Sequence, residues 1–398
     1  MQKLIYILIL SFFFVPISVL AQNRTLCIPF GNQNFSAIAP PQTNYLKLDS
    51  LNETAIKSII AHIKEEDFLN IIANLKQYKI ANKLDDWFFY QLIRKTAEQI
   101  SPKKENYIIY TIMKWYFLTH TGYDARLAFG KEQIVLYIRS DDEIFNLPLY
   151  LNSGKQYVCL NFHDYGKMLY EQYPIFPIEL IVKGANTKFS YQINEIPDFK
   201  PENYKEEKLA FNFYEREYHF NILLNQEVQQ LFKNYPEVPF ESYFNIPLSK
   251  QTYSSLIPLL KKYVQGMNQK KGVDYLMRFT RYAFLYVDDV ENFGKERKLS
   301  PEQTLLYNHS DCDDRAGLFF YLVKEIYNLP MIAMLYPTHI TMAVNFDKEN
   351  RKGIEYEGKR FTVCEPTPQI KDLKIGQLSN NLKSQSYEVV YYYQPKAY

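Results

Sequence analysis

Three residues in the C-terminal quarter of the chain have the types and the order that thiol-based acyl chemistry requires. Cys312 stands in Ser310-Asp311-Cys312-Asp313-Asp314-Arg315-Ala316, just ahead of the apolar run Leu318-Phe319-Phe320. His339 follows 27 residues later in Thr338-His339-Ile340-Thr341, and Glu365 another 26 later in Val363-Cys364-Glu365-Pro366-Thr367. A thiol attacks a carbonyl as the thiolate, so it needs a base to take its proton and a carboxylate to orient that base. Cys312 reads as the nucleophile, His339 as the base and Glu365 as the orienting acid.

Local sequence supplies an element for each. Ser310 can cap a helix with Asp313 as its third residue, and Leu318, Phe319, Leu322, Val323 and Ile326 recur at helical spacing as its buried face. Cys312 then lies in the first turn, where free backbone N–H groups and the helix dipole favour a thiolate. Asp311, Asp313 and Asp314 oppose it, and a nearby imidazolium would settle the balance. Around His339, alternation sends Ile340, Met342, Val344 and Phe346 inward and leaves His339, Thr341, Ala343 and Asn345 on the other strand face. A tight hairpin at Glu357-Gly358 returns a strand with Phe361, Val363 and Glu365 on one face, while Cys364 alternates into the core. Pro366 keeps Glu365 extended.

Other chemistries fit less well. The three aspartates lack the glycine and the distal glutamate of a calcium loop. His309 reads as a turn residue, and neither an H-E-x-x-H zinc motif nor a glycine loop for phosphates occurs. Cys312 as an inert small residue at a helix end is the structural alternative.

These segments resemble the transglutaminase-like superfamily of papain-related thiol enzymes. In that family a G/S-D-C-x-D-[KR]-A segment opens a helix, the histidine lies on the next strand, and the acid stands in D-P-T. The resemblance covers residues from about 300 to 370 and implies Cys312 as nucleophile, His339 as base and Glu365 as its orienter, with Asp314 matching the second acid of the motif. It departs in carrying glutamate for aspartate. A second oxyanion donor is open among Tyr307, Asn308 and His309, the Cys312 amide being the first. The implied reaction is attack on an amide or ester and resolution of a thioester by water, with a protein or peptide substrate, including cell-wall peptide, and no cofactor or metal. The rival class is a binding or assembly protein that kept the fold and lost efficient turnover.

The remaining chain frames this site. Residues 1–21 read as an export signal with Lys3, an apolar stretch from Leu4 to Leu20 and cleavage after Ala21, an uncleaved anchor being the alternative. The mature chain is then expected in the periplasm or outside the cell, free of the membrane. Cys27 with Cys159 is one conceivable disulfide. Residues 22–195 read as helical and then mixed α/β, 196–249 as a β-hairpin section, and 250–398 as the transglutaminase-like domain. Two hairpins, around Gly184-Ala185-Asn186 and across 208–224, suggest a small β-sandwich-like middle, so the fold class is α+β with a helical and mixed N-terminal region. A formal charge of +2 without a basic run excludes a nucleic-acid footprint. Residues 122–138 with 153–162 run parallel to 329–344 with 357–367, either as a degenerate internal repeat, in which Glu105, Glu132 and Asn161 stand roughly where Cys312, His339 and Glu365 do, or as the likeness that any helix followed by two strands shows. Oligomeric state is not legible.

Overall fold

The computed structural model describes residues 23–41, 48, 50–130, 133–166, 174–283, 285–286, 298–307, 309–348 and 353–395. The expected export signal lies outside these residues, as do Glu132 and Asn308. Among the described residues, no helix is long and apolar enough to cross a membrane.

The chain is α+β and passes twice through one sequence of elements. In the first pass a hairpin, β1 (Arg24–Phe30) and β2 (Gln33–Ala39), precedes helices α1 (Glu53–His62), α2 (Glu65–Ala81), α3 (Asp86–Ile100) and α4 (Tyr107–His120). An antiparallel sheet follows from β3 (Ala125–Phe129), β4 (Ile134–Arg139), β5 (Leu149–Asn152) and β6 (Lys155–Cys159), then the short helix α5 (Phe162–Tyr165) and strand β7 (Phe176–Pro177). The second pass opens on the hairpin β8 (Lys205–Phe213) and β9 (Arg216–Leu224). Helices α6 (Glu227–Leu231), α7 (Phe240–Phe244), α8 (Lys250–Val264) and α9 (Gln269–Tyr282), strand β10 (Leu285–Tyr286), α10 (Pro301–Leu306), β11 (His309–Ser310) and α11 (Cys312–Tyr327) come next. The second sheet is built from β12 (Met331–Tyr336), β13 (His339–Val344), β14 (Ile354–Tyr356) and β15 (Lys359–Cys364), with α12 (Asn380–Lys383) and β16 (Glu388–Tyr393) closing the chain.

The two sheets have matching strand orders, β5-β6-β4-β3-β7 and β14-β15-β13-β12-β16. Their two-residue turns match too. Ser153-Gly154 and Glu357-Gly358 all have positive φ, between 47° and 75°, the backbone that a right-twisted two-residue hairpin demands. Asn161 and Glu365 each stand seven residues after the turn glycine, and Tyr107 and Cys312 each open a helix. By strand register Gln133 faces the position of His339. The counterparts of Cys312 and His339 are therefore Tyr107 and Gln133, shifted from the Glu105 and Glu132 that the sequence suggests; that of Glu365 is Asn161, as the sequence suggests.

The expected hairpin across 178–193 does not form, and with it the β-sandwich-like middle is lost. The physical reason lies in where the amides go. Tyr191 N–H is taken by Asp142 Oδ2 at 2.5 Å, Ser190 N–H by Asp86 Oδ2 at 2.9 Å and Asn194 N–H by Asp85 Oδ2 at 2.6 Å. Carboxylates from α3 and from the loop after β4 satisfy the donors that a strand partner would have used, so this segment runs as a strap. The second hairpin forms as read, with Phe211, Phe213, Tyr218, Phe220 and Ile222 buried. It packs on α8 and α9, so it shares a packed unit with the helices beyond residue 250.

One continuous core runs through both passes. Trp87 Nε1 of α3 donates to Leu231 O of α6 at 2.8 Å, and a β-bridge joins Phe145 to Glu237. All four cysteines are free, Cys27 on the exposed side of β1 and Cys159 buried, so the conceivable bridge between them is absent.

Candidate active site

Cys312 is the first residue of α11, and the cap lies one residue later than the sequence suggests. Asp311 rather than Ser310 is the N-cap: its side chain accepts the Asp314 N–H at 3.1 Å, and Asp314 Oδ2 accepts the Asp311 N–H at 3.3 Å. Asp and Ser cap about equally well, and the Asp311 carboxylate adds a negative charge that the start of a helix favours. The three acids divide the work. Asp311 caps, and the fully buried Asp314 also accepts Leu299 N–H at 2.7 Å and the Tyr243 hydroxyl at 3.2 Å, tying the preceding loop to the helix. Asp313 accepts the Cys312 thiol hydrogen at 3.4 Å.

The neighbouring Arg315 is fully buried and donates Nη1 to Thr280 O and Arg281 O, both at 2.7 Å. It holds the start of α11 against the end of α9, whose last carbonyls would otherwise lack partners.

His339 opens β13, and Glu365 lies just past the end of β15. His339 Nε2 and Glu365 Oε2 are 2.8 Å apart, with the imidazole 11% exposed and the carboxylate fully buried. The longer arm of glutamate is thus accommodated. Glu365 Oε1 accepts Thr367 N–H at 2.9 Å, so both oxygens are fixed. Behind it, Arg281 donates Nε to Glu365 O at 2.7 Å and Nη1 to Leu373 O at 2.7 Å. With Nε2 engaged by Glu365, Nδ1 is the other ring nitrogen.

The sulfur lies at the start of the same strand. The Ile340 amide, next in sequence to His339, donates to Cys312 Sγ. Burial pushes the thiol well above its ordinary range, and Asp313 and Asp311 push it further, while the Ile340 amide pulls weakly back. Burial also raises the Asp313 carboxyl, opposed by Lys298, the Cys312 thiol and His339. The resting sulfur is therefore a neutral thiol hydrogen-bonded to a carboxylate, where the sequence suggested an imidazole-stabilised thiolate. The helix-start donors do not outweigh two acids in a half-buried place.

Of the open oxyanion donors, Tyr307 closes α10, and the backbone of His309 pairs with Leu285 in a short parallel ladder. Cys364 is buried in the core as its alternation implied. Two grooves, of about 240 and 440 Å³, are lined partly by Leu209, Leu306 and Tyr307 and by Tyr214, Arg278 and Asp372 respectively. Neither is lined by Cys312, His339 or Glu365. Among the described residues no three His, Cys, Asp or Glu side chains converge to hold a metal.

Sequence reasoning missed Arg281 and gave Arg315 no role. Both act on backbone carbonyls, which leave no pairing signal in sequence. Comparison with protein-family models, with curated proteins and with solved structures finds no match to this chain.

Proposed function

We propose that the chain is a transglutaminase-like thiol enzyme that hydrolyses amide or peptide bonds, with Cys312 as nucleophile, His339 as base and Glu365 as the group that orients it. The observation that carries this reading is the 2.8 Å pair that His339, at the start of β13, makes with Glu365, just past β15, together with the Ile340 amide, next to His339, that touches Cys312 Sγ. In the reaction the thiol hydrogen leaves Asp313 for His339 Nδ1, and Sγ adds to the carbonyl carbon. The imidazolium returns that proton to the departing amine, leaving a thioester, which a water deprotonated by His339 then hydrolyses to the acid and the free thiol. No cofactor enters any step. The substrate class is a protein or peptide, including cell-wall peptide, met outside the cytoplasm if residues 1–21 act as an export signal.

A second reading is favoured by one specific observation. Burial first, and then the half-buried Asp313 beside it, raise the thiol well above its ordinary range and favour its neutral form, as suits a binding or assembly protein that keeps the fold without efficient turnover. Incubation with a peptide library that includes cell-wall peptides, followed by mass analysis, separates the two. The enzyme reading expects new amine and acid termini, lost in Cys312→Ser and in His339→Ala. Peptides retained on the protein but chemically unchanged would establish the binder.

A further inference from the structure

The first pass of the fold carries, at the place matching the Cys312 site, a polar group that the chemistry above does not use. Lys114 lies on α4 two turns after Tyr107 and is 1% exposed. Counted from the first residue of each helix, its counterpart in α11 is the core residue Phe319. An ammonium thus stands where the other copy has a phenyl ring. Its Nζ lies 4.5 Å from the centroid of the Tyr110 ring and makes no hydrogen bond or ion pair among the described residues. Burying an amine without an acceptor is costly, so packing alone does not account for it.

Its neighbours are short of acceptors too. Arg94 links the group: it donates to Gln91 Oε1 at 2.9 Å, bonds to Tyr110, and lies 5.9 Å from the Tyr90 ring centroid. Tyr90 Oη and Gln91 Nε2 are buried with no hydrogen-bond partner among the described residues. The acids nearby are already engaged. Asp164 takes Lys103 and the Tyr107 hydroxyl, the latter at 2.7 Å, and faces His163 Nε2 at 3.3 Å. Glu98 takes the Lys103 amide at 3.2 Å. Lys114, Tyr90 and Gln91 are thus donors linked through Arg94 and Tyr110, and the described residues pair none of the three donor atoms with an acceptor.

We propose that this place in the first half is a binding site for a carboxylate ligand, held by Lys114 together with Tyr90, Gln91 and Arg94. The ligand's two oxygens supply the acceptors not found among the described residues. A free organic acid and the C-terminus of a peptide share this chemistry. The site stands independently of the reaction proposed for Cys312, as the Tyr107, Gln133 and Asn161 of this half have no nucleophile among them. Burial, reinforced by Arg94 and Lys103 against Asp164, brings Lys114 down to about 7. His163 is pulled down to about 3 and Cys159 pushed up to about 12, and the Tyr107 and Tyr110 hydroxyls are raised. Across neutral pH, Lys114 is the member of this group that changes charge.

The test is calorimetric titration and thermal unfolding of the whole chain with succinate, with acetyl-Ala-Ala bearing a free carboxylate, and with the same peptide amidated. Saturable binding and a raised melting temperature are expected with at least one free carboxylate and not with the amide, weakening about tenfold or more as pH rises from about 6 to 8.5. Succinate alone would identify a free acid, and the peptide a chain end. Lys114→Met should melt no lower than wild type and lose the carboxylate response. Absence of binding by any free carboxylate, an undiminished response in Lys114→Met, or a marked fall in its melting temperature would overturn the proposal, leaving water as the acceptor or the lysine as a packing group.

Discussion

At Cys312 two local influences compete, and the distances show which prevails. The helix start and the Ile340 amide favour a thiolate, while burial, Asp313 and Asp311 disfavour it. Asp313 is the closer acid and receives the thiol hydrogen. Replacing it by asparagine removes a negative charge beside the sulfur without removing volume. Asp313→Asn is therefore expected to lower the thiol pKa by about one unit or more and to speed modification at neutral pH by about tenfold, read from alkylation rates across pH. Glu365→Gln should leave the ring where it is but weaken its hold on the protonated imidazole, reducing turnover by about 10² to 10⁴. Lys114 gives a stability prediction of definite sign. Its folded value near 7 lies below the ordinary 10.5, so between the two the unfolded chain binds the extra proton and wild-type stability rises with pH. The advantage of Lys114→Met in thermal unfolding should be greatest at or below pH 7 and shrink toward pH 10.

At the scale of elements, the site depends on how α11 is fastened to α9. Arg315 closes that junction through two carbonyls at 2.7 Å. Truncation to methionine leaves those oxygens buried and unpaired, and should cost about 2–4 kcal/mol in denaturant unfolding. A loss below about 0.5 kcal/mol would show that the junction is held elsewhere. The strands that carry His339 and Glu365 were legible because alternation and the Glu357-Gly358 turn fix their register. The helix start was legible to within one residue, since both Ser310 and Asp311 are good caps. What stayed hidden were interactions in which one partner is backbone: Arg281 on Glu365 O, Arg315 on α9, and the three aspartates that draw residues 190–194 into a strap. Apolar alternation there imitates a hairpin, while the partners of its amides lie more than a hundred residues upstream or on a loop.

For the whole molecule, the second passage through hairpin, helices and five-stranded sheet gives the first half a meaning that sequence showed only faintly. The resemblance of residues 122–138 and 153–162 to 329–344 and 357–367 is visible in the strands, where patterning is strict. The hairpin at 24–39 is not legible in its polar sequence, so its match to the hairpin at 205–224, which is legible, shows only in the structure. The halves share one core and are linked by Trp87 with Leu231 and by the bridge of Phe145 to Glu237. A cut in the connecting segment between Asn194 and Tyr204 should therefore yield halves that unfold at lower denaturant than the intact chain. Circular dichroism of each half would check this, and native-like stability in either would show two independent units.

The most direct test of the acyl-transfer account is the rate at which iodoacetamide alkylates Cys312, followed by peptide mass analysis from about pH 5 to 9 in wild type and in His339→Ala. Sulfur attack releases iodide and sends the thiol proton to the imidazole, so the account predicts a wild-type rate that falls about tenfold or more in the variant. Equal rates in the two proteins, rising with pH as an ordinary thiol does, would contradict it.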